Sequence, residues 1–179
     1  MSLKALPIAM LVVGLLALGY TNPVLADDVD IIVDINATGE THSYEHNDAD
    51  PFGGWINVSV TNTGTESWGD FHFELFEVPS HPMDISNIDF VVDPPYEPTS
   101  SQSPLTWAVD NMAYGATIDL FYYFDEVLPG ETAQFSVYTD NQDHVTWFGV
   151  AFYPTPVPEP ATLALLGLGV VAIASRYRR

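Results

Sequence analysis

Between Asp27 and Tyr153 apolar and polar residues alternate in short runs. In Val29-Asp30-Ile31-Ile32-Val33-Asp34-Ile35 apolar residues recur at alternate positions, a period of two. Trp55-Ile56-Asn57-Val58-Ser59-Val60-Thr61 places Ile56, Val58 and Val60 on one face. Asp70-Phe71-His72-Phe73-Glu74-Leu75 does the same with Phe71, Phe73 and Leu75. Such alternation predicts half-buried strands. Further strands are expected at Ile88–Val92, Leu105–Val109, Thr117–Phe124, Thr132–Thr139 and Val145–Phe152. Turn signals separate them: Asn62-Thr63-Gly64, Asp93-Pro94-Pro95, Leu128-Pro129-Gly130 and Asp140-Asn141-Gln142-Asp143. Thr99 to Pro104 reads as a long surface loop. No stretch of this middle region carries a helical repeat over three turns. The expected fold class is therefore all-β: an antiparallel β-sandwich over residues 27–153, immunoglobulin-like or jelly-roll-like.

The two ends break the pattern. Lys4, an apolar run from Leu6 to Leu18, and Val24-Leu25-Ala26 have the order of a secretory signal peptide over residues 1–26. Cleavage is expected after Ala26. At the other end, Pro154 to Pro160 is too rich in proline for a helix or a central strand. It reads as a stiff linker, residues 154–160. Ala161 to Ser175 is uninterrupted apolar and small. As a helix it would reach about 22 Å, against roughly 30 Å of hydrocarbon, with flanking residues making up the difference. It is expected to span the membrane. Arg176, Arg178 and Arg179 would remain on the cytoplasmic side as a basic tail, residues 176–179.

Charge sharpens this division. The chain has 24 acidic residues against 4 basic ones, a formal charge of -20. The bases are Lys4, Arg176, Arg178 and Arg179, so residues 27–158 contain no Lys or Arg. Of the acids, only Glu159 lies outside that window. A polyanion without basic side chains does not bind nucleic acid. It also does not dock on an anionic bilayer surface. The chain has no cysteine, which excludes disulfides, thiolate metal sites and a cysteine nucleophile.

The tail residues carry a family resemblance. Val157-Pro158-Glu159-Pro160-Ala161-Thr162, the apolar run from Leu163, and the arginine cluster follow one another as in the PEP-CTERM sorting tail. The resemblance implies that Pro158, Glu159 and Pro160 form the motif recognised by an exosortase, a membrane protease that acts near them. It further implies a Gram-negative host that makes exopolysaccharide, biofilm or floc. The protein would be held at the inner membrane before processing, then placed on the cell surface or in the extracellular matrix. In the middle region, Val58-Ser59-Val60-Thr61-Asn62-Thr63-Gly64 together with Leu128-Pro129-Gly130-Glu131-Thr132 resembles immunoglobulin-like and fibronectin-like modules of bacterial surface proteins.

Candidate chemistry in the middle region is sparse. His42, His46, Glu45, Asp48 and Asp50 lie close in sequence, but their spacing fits no zinc motif. Neither Asn47-Asp48-Ala49-Asp50 nor Asp140-Asn141-Gln142-Asp143 completes a calcium loop. Solvated loops explain both, so no metal or cofactor is expected. His72 and Glu74 share a strand face, which reads as a cross-strand polar face rather than a catalytic pair. There is no G-x-S-x-G elbow, P-loop or G-x-G-x-x-G. The domain is therefore expected to be non-enzymatic, with a structural or adhesive role and exopolysaccharide as a partner. The alternative is a carbohydrate-binding module. For that, Trp55, Trp68, Trp107, Trp147, Tyr122 and Tyr123 are the aromatic candidates. Most should be core. Trp68, in a turn, is the one expected to be exposed and to form the ligand face.

Overall fold

The computed structural model describes residues 28–48 and 53–156. The expected signal helix, membrane helix and basic tail lie outside these residues. So do Ala26, Pro158, Glu159, Pro160, Arg176, Arg178 and Arg179. Among the described residues the chain is all-β and contains no helix.

Ten strands follow in order: β1 (Val29–Ile35), β2 (His42–Asn47), β3 (Gly53–Asn62), β4 (Trp68–Phe76), β5 (Ile88–Val91), β6 (Thr99–Ser100), β7 (Thr106–Asp110), β8 (Thr117–Phe121), β9 (Thr132–Asn141) and β10 (Trp147–Pro156). They form two five-stranded sheets. The first runs β1-β3-β9-β5, with β6 also on β9. The second runs β2-β10-β4-β8-β7. All pairings are antiparallel except β1 with β3, which is parallel. That pair corrects the expectation of a purely antiparallel fold. After β1 the chain passes through β2, in the second sheet, before entering β3. That detour brings β3 in alongside β1 in the same direction.

The predicted alternation is what joins the sheets. Ile56, Val58 and Val60 of β3 and Ala133, Phe135 and Val137 of β9 are buried. So are Phe71, Phe73 and Leu75 of β4 and Phe148, Val150 and Phe152 of β10. All belong to one hydrophobic cluster. Across the two sheets the rings of Phe71 and Phe135 stack with centroids 4.5 Å apart and planes 13° apart. The result is a β-sandwich-like all-β domain.

Local chemistry fixes the connections. Leu128 to Glu131 is a turn in which Glu131 N–H donates to Leu128 C=O at 3.0 Å. Pro129 holds the second position. Gly130 takes φ +88° at the third, where other residues are strained. This turn meets the end of β3, where Asn62 N–H donates to Glu131 C=O at 2.9 Å. The Asn62 side chain is fully buried. Its amide donates to Glu66 C=O and Val127 C=O, and its oxygen accepts from Gly64 N–H. Thus the Asn-Thr-Gly and Pro-Gly segments adjoin in space.

Three of the differences from the sequence reading change the topology or the domain limits. His42–Asn47 is strand β2 and not a solvated loop. It sits at a sheet edge, where its inward rings are histidines: His42 stacks on Phe152 and His46 meets Phe148 edge-on. Thr99 and Ser100 leave the expected loop to pair with β9. Finally, β10 runs past Tyr153 to Pro156 instead of giving way to a linker. Prolines fit there because β2 pairs with β10 only as far as Phe152, so the last residues have a strand partner on one side only.

Phe71 lies at the centre of this packing, fully buried and in ring contact with Phe73, Phe135 and Phe152. Phe71→Ala is expected to cost about 3–5 kcal/mol, because the cavity it leaves is walled by rings from both sheets. A urea titration would show this as a lower midpoint with an unchanged slope.

Candidate functional site

The outward residues of the two sheets carry different chemistry. On the first sheet, Trp55 of β3 stands directly opposite Tyr138 of β9. Their rings meet edge to face at 5.4 Å and 74°. Between β5 and β6 the chain leaves the sheet through Asp93-Pro94-Pro95-Tyr96, closed by Tyr96 N–H donating to Asp93 C=O at 2.8 Å. This excursion lays Tyr96 over the sheet. Its ring stacks on Tyr138 at 4.2 Å and 28° and lies 6.3 Å from Trp55. Tyr96 keeps 38% of its surface exposed.

Polar groups extend this aromatic patch. Trp55 N–H donates to Asp28 Oδ1 at 2.8 Å, and Asn57 Nδ2 donates to Asp30 Oδ1 at 3.0 Å. An open groove of about 300 Å³ lies between Asp28, Trp55, Asn57, Thr99 and Ser136. A second, of about 440 Å³, is lined in part by Asp30, Ile32, Asn57, Ser59, Gln134 and Ser136. The two share Asn57 and Ser136. Burial, then the neighbouring Tyr96, Asp140, Asp28 and Asp48, hold the Tyr138 phenol above its ordinary range. Tyr138 therefore stays neutral, and its hydroxyl remains a donor. Aromatic faces with adjacent amide and hydroxyl groups suit ring stacking with flanking hydrogen bonds.

The second sheet carries a histidine between two carboxylates. His72 of β4 stands opposite Asp119 of β8, and its Nδ1 bonds to Asp119 Oδ1. Its Nε2 lies 3.4 Å from Asp70 Oδ1, an ionic contact too poorly aligned for a regular hydrogen bond. The ring also stacks on Tyr153 at 4.9 Å. Asp70 is fixed by Thr155, which donates from both N–H and hydroxyl. Burial works against charge on both partners. For His72, the contacts with the Asp70 and Asp119 carboxylates outweigh it and raise the pKa. For Asp70, His72 and Thr155 outweigh it and lower the pKa. His72 and Glu74 thus occupy a cross-strand polar face, with Asp119 and not Glu74 as the partner of His72.

The other candidates are dispersed. Trp68 is 1% exposed and belongs to the core, which corrects the expectation of an exposed ligand residue. The cause is a register shift in β4 against β10. Asp70 faces Thr155, but Trp68 and not Gly69 faces Pro156. The extra residue breaks the alternation and sends the indole inward. Tyr122 is also core, and its hydroxyl donates to Asp70 C=O at 3.0 Å. Trp107 packs partly against the core. Trp147 stacks on His81 at 4.2 Å and 8°. Only Trp55 among the six aromatic candidates enters the outer cluster, which gains Tyr96 and Tyr138. Alternation with Ile56, Val58 and Val60 already places Trp55 outward. The Asp93-Pro94-Pro95 turn was the sequence signal for Tyr96.

The two acidic segments read as loops do meet. Asn141 Nδ2 donates to Asp48 Oδ2 at 2.9 Å, and Asp48 Oδ1 lies 3.4 Å from His46 Nε2. Among the described residues no group of three or more His, Cys, Asp or Glu is arranged to hold a metal ion.

Comparison with known proteins identifies the tail. The PEP-CTERM protein-sorting motif matches residues 156–179, so the chain carries this sorting motif in its tail. The motif implies export, membrane anchoring before processing, and processing by an exosortase. No curated protein and no solved structure matches the chain. The match leaves the acidic β domain unassigned.

His72 supplies a direct check of the second face. Its folded pKa is raised, so the stability it confers is present in full below 6.5 and is lost as pH rises through the raised value. Replacing it, as His72→Gln, is expected to cost about 1–2 kcal/mol near pH 6. The gap from wild type should narrow toward pH 9, because the wild-type ring then loses its charge. Chemical denaturation of both proteins across that range measures it.

Proposed function

We propose that this chain is an exported, non-enzymatic protein of the cell surface or exopolysaccharide matrix. Its role is structural or adhesive. The C-terminal tail brings it to an exosortase-type protease at the inner membrane, with Pro158-Glu159-Pro160 as the recognition motif. The apolar run holds it in the bilayer, and Arg176, Arg178 and Arg179 set its orientation. The observation that carries this reading is the sorting motif at residues 156–179, joined to a domain without Lys or Arg. Cleavage near Pro158 would release a pure polyanion, hydrated and self-repelling, a suitable component for an open gel.

The aromatic face of the first sheet favours a second reading, a carbohydrate-binding module of the same matrix. Trp55, Tyr96 and Tyr138 present rings, and Asn57, Ser136 and Gln134 present hydrogen-bonding groups beside them. The two readings are compatible, since adhesion to a polysaccharide is one form of the first.

Intact mass of the protein recovered from host envelope and medium tests the sorting. The expected species begins at Asp27 and ends near Pro158. With Glu159→Ala, that species should disappear and the uncleaved tail should persist. A mass that retains Arg179 in both strains would refute processing at this motif.

A further inference from the structure

We infer that the outer face of the first sheet binds a polysaccharide whose sugars carry free ammonium groups. The inference rests on the adhesive reading above and names its ligand. Three observations lead to it. First, Trp55, Tyr96 and Tyr138 converge in one cluster outside the core, with Tyr96 exposed and the other two half-buried, although large rings normally pack inside a sandwich. A sugar ring offers an apolar C–H face that stacks on such a surface. Second, the grooves beside the cluster meet at Asn57 and Ser136, forming a continuous trough across β1, β3 and β9. Three strands at about 4.8 Å spacing make it roughly 10 Å wide, the scale of a short oligosaccharide. Its amide and hydroxyl groups suit sugar hydroxyls.

Third, the charge around the trough has one sign. Asp28 and Asp30 line it, and Asp140 lies close enough to raise the Tyr138 pKa. Asp28 and Asp30 each engage a protein donor through Oδ1, which leaves Oδ2 as an acceptor. Residues 27–158 supply no Lys or Arg to offset them. A uronate or sulfated chain would be repelled. A neutral chain would gain stacking and hydrogen bonds without ion pairing. A chain with ammonium groups gains stacking, ion pairing, and attraction of the cation to the aromatic faces.

The test uses the full chain in mild detergent and three soluble probes: a glucosamine hexamer at mildly acidic pH, its fully N-acetylated counterpart, and a polyuronate of similar length. The glucosamine hexamer should bind at least tenfold more tightly than the acetylated one, and the polyuronate should not bind. Any polyanion attracts polycations, so the decisive variants keep the charge. Trp55→Ala and Tyr96→Ala should each weaken hexamer binding at least tenfold, with circular dichroism and melting confirming the fold. Tyr96 lies in an exposed turn, so its variant tests the site even where Trp55→Ala unfolds. Asp30→Asn should reduce the preference for the free amine over the acetylated probe. Undiminished binding by the folded aromatic variants would overturn the site. Equal affinity for amine and acetylated probes would overturn the cationic ligand while leaving adhesion to glycans intact. Binding of none of the three would sink both.

Discussion

In this domain no carboxylate has a lysine or arginine to pair with, because residues 27–158 contain neither. Every acid held in place is held by a neutral donor or by histidine. Backbone amides serve several: Trp55 for Asp28, Ser86 for Asp84, Met112 for Asp110, Ser103 for Asp125, Leu128 for Glu131. Side-chain amides and hydroxyls serve others: Asn57 for Asp30, Asn141 for Asp48, Thr155 for Asp70, Tyr114 for Glu77. These bonds are short-range and directional, unlike ion pairs, so they pin turns and strand ends without cancelling the net charge. The long-range repulsion remains. It is opposed by the aromatic and aliphatic core, which is insensitive to sign and salt.

The core therefore has to be dense, and its geometry follows. Phenylalanines from β4, β9 and β10 meet between the sheets, where the Phe71–Phe135 stack spans the interface. Two buried polar side chains are tied to the backbone within it. Asn62 gives its whole amide to three backbone groups at the junction of β3 with the turn before β9. Tyr122 reaches the Asp70 carbonyl from within the core. With the inner faces committed in this way, the outer faces are left to differ: an aromatic trough on one sheet and a histidine between two aspartates on the other.

Much of this fold is legible in the sequence because the core depends on a period of two. β1, β3, β4, β8 and β9 all show it, and their expected and observed spans overlap closely. β2 was hidden because His42 and His46 take inward positions at which the pattern requires aliphatics. β6 was hidden because two residues carry no period. Trp68 reads as part of a turn in the sequence, but β4 begins there, and one extra residue in the strand turns the indole inward. The aromatic site was half legible. Trp55 follows from the phase of β3. Tyr138 needs the register of β9 against β3, and Tyr96 needs the fold of the turn between β5 and β6. Long-range partners of that kind are set by topology, which local patterning does not encode.

The distribution of charge also links the tail to the domain. In the proposed sorting, the basic residues at the C-terminus would set orientation before processing, as inside-positive charges do. A cut near Pro158 would remove the whole tail, and no Lys or Arg lies between Asp27 and that point. The part presented outside would then be acidic throughout. Such a chain repels copies of itself and anionic surfaces alike, so it cannot cohere through its own charge. Cohesion in a matrix must come from short-range contacts such as stacking, or from a partner of opposite sign. The cluster of Trp55, Tyr96 and Tyr138, with the trough beside it lined by Asp28 and Asp30, offers both at one place.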